Sequence, residues 1–141
     1  MKIKFIRFNL AARLPERKHY NDTGADIYML TGGQIEPHQT IVVPLGFGID
    51  LPDGHNARLQ VRTSIAKQGI HIHSCAIDAG YKGELNMIIT NMSNTIFTWK
   101  PDDRLGYIEV YPCVYADIVE ELGDERNDGA FGSTNTVLVE R

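Results

Sequence analysis

The chain has 141 residues, a length suited to one domain that buries enough surface to fold without staples. Its 43% hydrophobic and 23% charged residues exclude a disordered or fibrous chain, and a net charge of −4 speaks against a non-specific nucleic-acid binder. Two cysteines, Cys75 and Cys113, are too few for a disulfide framework or a zinc site and suit a reducing compartment, the cytoplasm or, for a viral chain, the host cytoplasm or nucleus.

The N-terminus, Met-Lys-Ile-Lys-Phe-Ile-Arg-Phe, alternates charged and apolar residues as a strand does, whereas a signal peptide needs an unbroken apolar stretch. No window approaches the length of a membrane span, so no membrane partner is expected. Strands are expected over Lys2–Phe8, Gln34–Pro44, Gly46–Leu51, Ala57–Val61, Leu85–Asn91 and Arg104–Tyr111. Turns at Thr31-Gly-Gly, Leu51-Pro-Asp-Gly-His55 and Lys100-Pro-Asp-Asp103 separate them. Many short strands between such turns predict an all-β sandwich, jelly roll or small barrel. A single short helix is expected over Ser64–Gln68, with Ser64 as N-cap and Gly69 as left-handed stop. From about residue 123 onward Gly, Asp, Asn, Ser and Thr replace the apolar alternation, which predicts a flexible C-terminal arm over 123–141 on a domain of residues 1–122.

Four segments carry residues suited to chemistry. The arm holds Arg126-Asn-Asp-Gly-Ala-Phe-Gly-Ser-Thr-Asn135, in which glycines admit an anion closely, Ser133 and Thr134 donate hydrogen bonds and Arg126 offers a planar fork. Phe131 joins no apolar stripe and is placed to stack on a flat ring. Val61-Arg-Thr-Ser-Ile-Ala-Lys67 sets an arginine and two hydroxyls at a strand-to-helix junction, where unpaired amides favour anions. In Ile77-Asp-Ala-Gly-Tyr-Lys-Gly83, a turn carboxylate can serve as general base for a water. Asp26, in Asn21-Asp-Thr-Gly-Ala-Asp-Ile27, is suited to the outer shell of a magnesium ion. Taken singly, each segment reads better as a glycine-rich tail, a capped helix start or an ordinary turn. His71 and His73 alternate as on one face of a strand, but the sequence offers no third ligand for zinc.

Order changes that reading. Thr23-Gly-Ala-Asp-Ile27, Arg62-Thr-Ser-Ile-Ala66, Ile77-Asp-Ala-Gly-Tyr-Lys-Gly-Glu84, Asp103-Arg-Leu-Gly-Tyr-Ile108 and Arg126 to Thr134 succeed one another as the five motifs of the trimeric dUTPase family do, and the chain resembles that family from Thr23 to Thr134. The resemblance implies a β jelly roll, a homotrimer with shared active sites and the Mg²⁺-assisted hydrolysis of dUTP to dUMP and pyrophosphate. It implies that Asp78 holds the sugar 3′-hydroxyl and orients a water for in-line attack on the α-phosphorus. Tyr81 would pack under the deoxyribose and exclude a 2′-hydroxyl. The backbone at Ala76 and Ile77 would read the uracil edge, with Asn86 a further substrate contact. Arg62, Thr63 and Ser64 would meet the phosphates, while Arg126, Gly132, Ser133 and Thr134 would clamp their outer part and Phe131 would cover the base. Magnesium would ride on the triphosphate, anchored by Asp26 through water.

Several positions depart from the family pattern. Thr63 stands where serine is common, Tyr107 replaces a glutamine in the fourth motif, and Asn127 and Ala130 replace glycines in the fifth. Counting back from Asp78 puts the family's uracil-facing asparagine at Ile72, beside His71, His73 and Ser74. Two rivals remain: a dUTP-binding regulatory protein with reduced catalysis, and a dCTP deaminase relative. The latter needs a glutamate on the strand after the turn, where this chain has Ile88.

Overall fold

The structure, a computed structural model, describes residues 1–124. Ten strands run in order: β1 (Lys4–Arg7), β2 (Ala25–Ile27), β3 (Gly33–Ile35), β4 (Thr40–Pro44), β5 (Phe47–Asp50), β6 (His55–Val61), β7 (Ile70–Ile72), β8 (Asn86–Asn91), β9 (Phe97–Trp99) and β10 (Gly106–Pro112). A four-residue helix, α1 (Thr63–Ala66), joins β6 to β7. Pairing is antiparallel throughout, in the orders β1-β5, β2-β10-β6, β3-β9 and β4-β8-β7. The all-β expectation holds among the described residues.

Alternation along the strands builds the core. β6 contributes Ala57 and Leu59 and β8 Met87 and Ile89, each buried between less buried neighbours, while β5 is buried from Phe47 through Ile49. Phe5 of β1 stacks on Phe47 with ring centroids 5.0 Å apart, closing that end. Each large apolar side chain so buried contributes about 1.5–3 kcal/mol before entropy is counted. Asn91 is the fully buried polar exception, and its bonds are complete. Its amide nitrogen donates to the Ile35 and Thr95 carbonyls, and its oxygen accepts from the Ser93 N–H and hydroxyl.

Three expectations need correction. The strand expected over Gln34–Pro44 is two strands, because Pro37 lacks an N–H and His38 turns left-handed (φ 63°), sending β3 to β9 and β4 to β8. The helix runs Thr63–Ala66 rather than Ser64–Gln68: its N-cap is Arg62, two residues before Ser64 and with no side-chain capping bond. Gly69 does supply the left-handed stop, with φ +84°. The strands β2, β7 and β9 are three residues each, too short for a period-two pattern to show. The turns at 51–55 and 100–103 stand as expected; in the latter the Lys100 N–H donates to Asp103 Oδ2 at 2.8 Å.

Pairing to β6 and β10 places the segments suited to chemistry. An isolated bridge joins Ala57 on β6 to Ile77, anchoring the hairpin that carries Asp78. At its other end β6 runs directly into Arg62 and α1. The central strand β10 sets Tyr107 across from Asp26 on β2 and Gln60 on β6.

Candidate active site

The hairpin from His73 to Asn86 walls a cavity of about 290 Å³ lined by Ala76, Ile77, Asp78, Tyr81, Asn86 and their neighbours. Its turn is fixed at both ends. The Tyr81 N–H donates to the Asp78 carbonyl (3.0 Å), the Tyr81 hydroxyl donates to the Glu84 carbonyl (2.7 Å), and Glu84 Oε2 accepts from the Gly46 N–H (2.9 Å). Gly83 leaves room for the Tyr81 ring: a Cβ on it would lie 2.8 Å from the Tyr81 hydroxyl oxygen, and the ring would have to shift. The tyrosine ring is therefore a fixed, half-exposed wall. The Asp78 carboxylate is exposed and makes no hydrogen bond or ion pair among the described residues, which leaves it open to a water or a ligand hydroxyl.

Main-chain groups along this wall divide into used and open. Ile77 donates to and accepts from Ala57, whereas Ser74 and Ala76 make no main-chain hydrogen bond among the described residues. An extended edge of open donors and acceptors suits the edge of a flat heterocycle. Ile72, the position counted for a base-facing asparagine, is instead 2% exposed and belongs to the core. Sequence counting fails there because a three-residue strand, β7, turns alternate residues inward. The residue that does reach the cavity is His73, and the chain's Ile88 lines it as well.

A second cavity, about 470 Å³, gathers Asp26, Arg62, Thr63, Ser64 and Tyr107 with Lys18 and His19. Arg62 is half-buried; its Nη1 donates to the Arg104 carbonyl at 2.9 Å, which orients the guanidinium and leaves its other donors available. The N–H groups of Thr63 and Ser64, at the start of α1, have no backbone acceptor among the described residues. Asp26 is paired: Arg104 Nη1 lies 3.0 Å from its Oδ2, both side chains being about three-quarters buried or more. Tyr107 faces the same cavity, and burial together with the nearby Glu109 carboxylate holds its phenol above the ordinary range, so it remains a hydroxyl donor. Lys18 and His19 escape a reading of the sequence, since nothing in local composition marks the 17–24 loop as facing Arg62.

The expected site residues thus fall into two groups. Asp78, Ala76, Ile77, Tyr81 and Asn86 share one cavity, Asp26, Arg62, Thr63 and Ser64 the other, and no residue lines both. Ala57, bridged to Ile77, and Val61, next to Arg62, are four residues apart on β6, roughly 13 Å of extended chain. Arg126, Phe131, Gly132, Ser133 and Thr134 lie outside the described residues.

Cations and open amides in one cavity, and a free carboxylate beside a tyrosine wall in the other, are together what phosphate-ester hydrolysis requires. Comparison with known proteins agrees. The dUTPase family model matches residues 11–136. The deoxyuridine 5′-triphosphate nucleotidohydrolase of Picosynechococcus sp. is 30% identical over 142 residues, covering 96% of this chain and all of that protein. The fold matches a mutant dUTPase from phage phi11 of S. aureus that coordinates a structural Mg(II) ion, with TM-score 0.82, 20% identity, and coverage of 89% of this chain and 99% of that one. It also matches a Staphylococcus bacteriophage 80alpha dUTPase mutant solved with dUpNHpp, with TM-score 0.80, 22% identity, and coverage of 96% and 99%. By sequence and by its jelly-roll-like fold, the chain belongs to the dUTPase family.

Proposed function

We propose that this chain hydrolyses dUTP to dUMP and pyrophosphate at sites built between copies of itself in a homotrimer. The carrying observation is the separation of the two cavities. A water oriented by Asp78 must reach the α-phosphorus within a few ångströms, yet the phosphate-binding group of the same chain lies toward the far end of β6. A second copy supplying Arg62, Thr63 and Ser64 to the first copy's Asp78 removes the conflict. The chain also carries exposed apolar residues, Val114, Ile118, Val119 and Leu122, that a neighbouring copy would cover.

In this reading uracil lies along the open edge near Ala76, the deoxyribose sits on Tyr81, and its 3′-hydroxyl and the attacking water meet Asp78. Asp78 takes the water's proton as the water oxygen attacks the α-phosphorus in line and the bond to the pyrophosphate oxygen breaks. Arg62, the Thr63 and Ser64 donors and the Tyr107 hydroxyl hold the phosphates and the charge that develops on the leaving group. Asn86 borders the sugar end. Arg126, Gly132, Ser133 and Thr134 clamp the outer phosphates and Phe131 covers the base, excluding bulk water.

The residues fit a hydrated Mg²⁺ carried on the triphosphate better than a protein-caged ion. Among the described residues no three His, Cys, Asp or Glu side chains converge, and Asp26 has one oxygen held by Arg104 and the other open to a metal-bound water. Bound there, the ion supplies charge neutralisation on the phosphates. The deaminase alternative fails on Ile88, an apolar residue in the cavity wall that cannot move a proton. Both cysteines are free, and no helix among the described residues is long and apolar enough to cross a membrane.

The test is to supply dUTP, dCTP, dTTP or UTP with Mg²⁺ and measure pyrophosphate. Release from dUTP far above the others is expected; conversion of dCTP to a uracil nucleotide, or tight dUTP binding without turnover, would overturn the proposal.

A further inference from the structure

We propose that His73 is a specificity-determining residue, whose ring offers Nδ1 to the oxygen at the 4-position of the pyrimidine. The inference rests on the dUTP-hydrolase reading above and names the side chain that selects the base. His73 comes directly after β7 and joins β8 through its N–H to the Ile88 carbonyl at 2.9 Å. Ile88 lies two residues along β8 from Asn86, roughly 7 Å, so His73 stands at the end of the cavity away from Tyr81. With the sugar on Tyr81 and Asp78, the base extends toward that end.

The other polar side chains of the cavity are engaged or misplaced for this task. The Tyr81 hydroxyl is bonded to the Glu84 carbonyl, the Glu84 carboxylate to the Gly46 N–H, and Asp78 is at the sugar. Asn86 lies at the near end of β8, and the Cys75 thiol is a weak donor.

His73 itself is held from behind. Its Nε2 lies 2.8 Å from Thr90 Oγ1, and Thr90 Oγ1 lies 2.7 Å from Thr40 Oγ1. The His71 ring packs edge-on against it at 4.6 Å between centroids, fixing its plane. Neither Thr90 nor His71 lines the cavity, so the ring nitrogen left for a ligand is Nδ1. The hydroxyl pair allows donation in either direction. In the proposed arrangement Thr40 donates to Thr90 and Thr90 donates to Nε2, which in a neutral ring places the proton on Nδ1. An Nδ1–H donor matches the 4-oxygen of uracil and meets the 4-amino group of cytosine donor to donor.

Steady-state kinetics with dUTP and dCTP, and binding of dUMP and dCMP, test the assignment on the full chain with Mg²⁺. His73→Ala should raise KM for dUTP about 10- to 100-fold with kcat nearly unchanged, and lower the preference for dUTP over dCTP by a similar factor. His73→Gln, which restores an N–H donor, should recover part of that preference. Thr90→Val removes the hydroxyl at nearly constant volume and should lower the preference several-fold. Parallel changes for both nucleotides, or a loss confined to kcat, would overturn the role. If the unaltered protein turned over no nucleotide but His73→Ala still lost its preference for dUMP over dCMP, the base-selecting role would stand and the hydrolase reading would fall.

Discussion

The cavity beside Asp78 is walled by a hairpin whose Tyr81 and Glu84 side chains are bonded to the protein, with the Asp78 carboxylate left free. The cavity beside Arg62 presents cations and unpaired amides around an ion pair. The first is shaped to select, because a fixed tyrosine and an open main-chain edge reject by collision and mismatch. The second is charged to stabilise, because donors aimed at phosphate act most strongly where charge develops. In the proposed reading neither half turns over a nucleotide alone, and β6 holds the two apart within one chain.

Substitutions can break that division, beginning with the largest effect. Asp78→Asn keeps the shape of the hairpin and removes the base, so kcat should fall on the order of 10²–10⁴-fold while dUTP binding by calorimetry is retained; an undiminished kcat would remove Asp78 from the base role. Tyr81→Ala opens the sugar wall, and the ratio of kcat/KM for dUTP over UTP should drop about 10-fold or more as the excluded 2′-hydroxyl is admitted. If UTP is still rejected, the wall lies elsewhere. In the charged cavity Tyr107→Phe removes one neutral donor among several, and KM should rise only a few-fold, about 1 kcal/mol. Because the phenol's proton is held more tightly in the fold than in the unfolded chain, its donor is fully present below the ordinary tyrosine range and is lost only above it. The Tyr107-dependent part of KM should therefore be flat through neutral pH and vanish only in strong alkali.

Much of the fold and site is legible in sequence, and the parts that are not share a cause. The strands that build the core, such as β6 and β8, are long enough for alternation to show, and the 51–55 and 100–103 turns carry their own Pro, Gly and Asp signals. β2, β7 and β9 are too short for any period, and their pairing is set by distant partners. The same holds within the site. Motif order picks out Asp78, Arg62 and Asp26, but the Arg104 partner of Asp26 is 78 residues away in the chain. The replacement of Ile72 by His73 at the cavity wall depends on which way β7 faces inward, a tertiary choice that counting residues cannot make.

The central claim is that one active site takes Asp78 from one copy and Arg62 from another. Asp78→Asn and Arg62→Ala proteins, each nearly inactive alone, can be mixed one to one, dissociated and reassembled, and assayed for pyrophosphate release from dUTP. Shared sites predict recovery toward about a quarter of the unaltered activity, since random assembly gives that share of sites an intact residue from both copies. A mixture no more active than its two components would contradict the account.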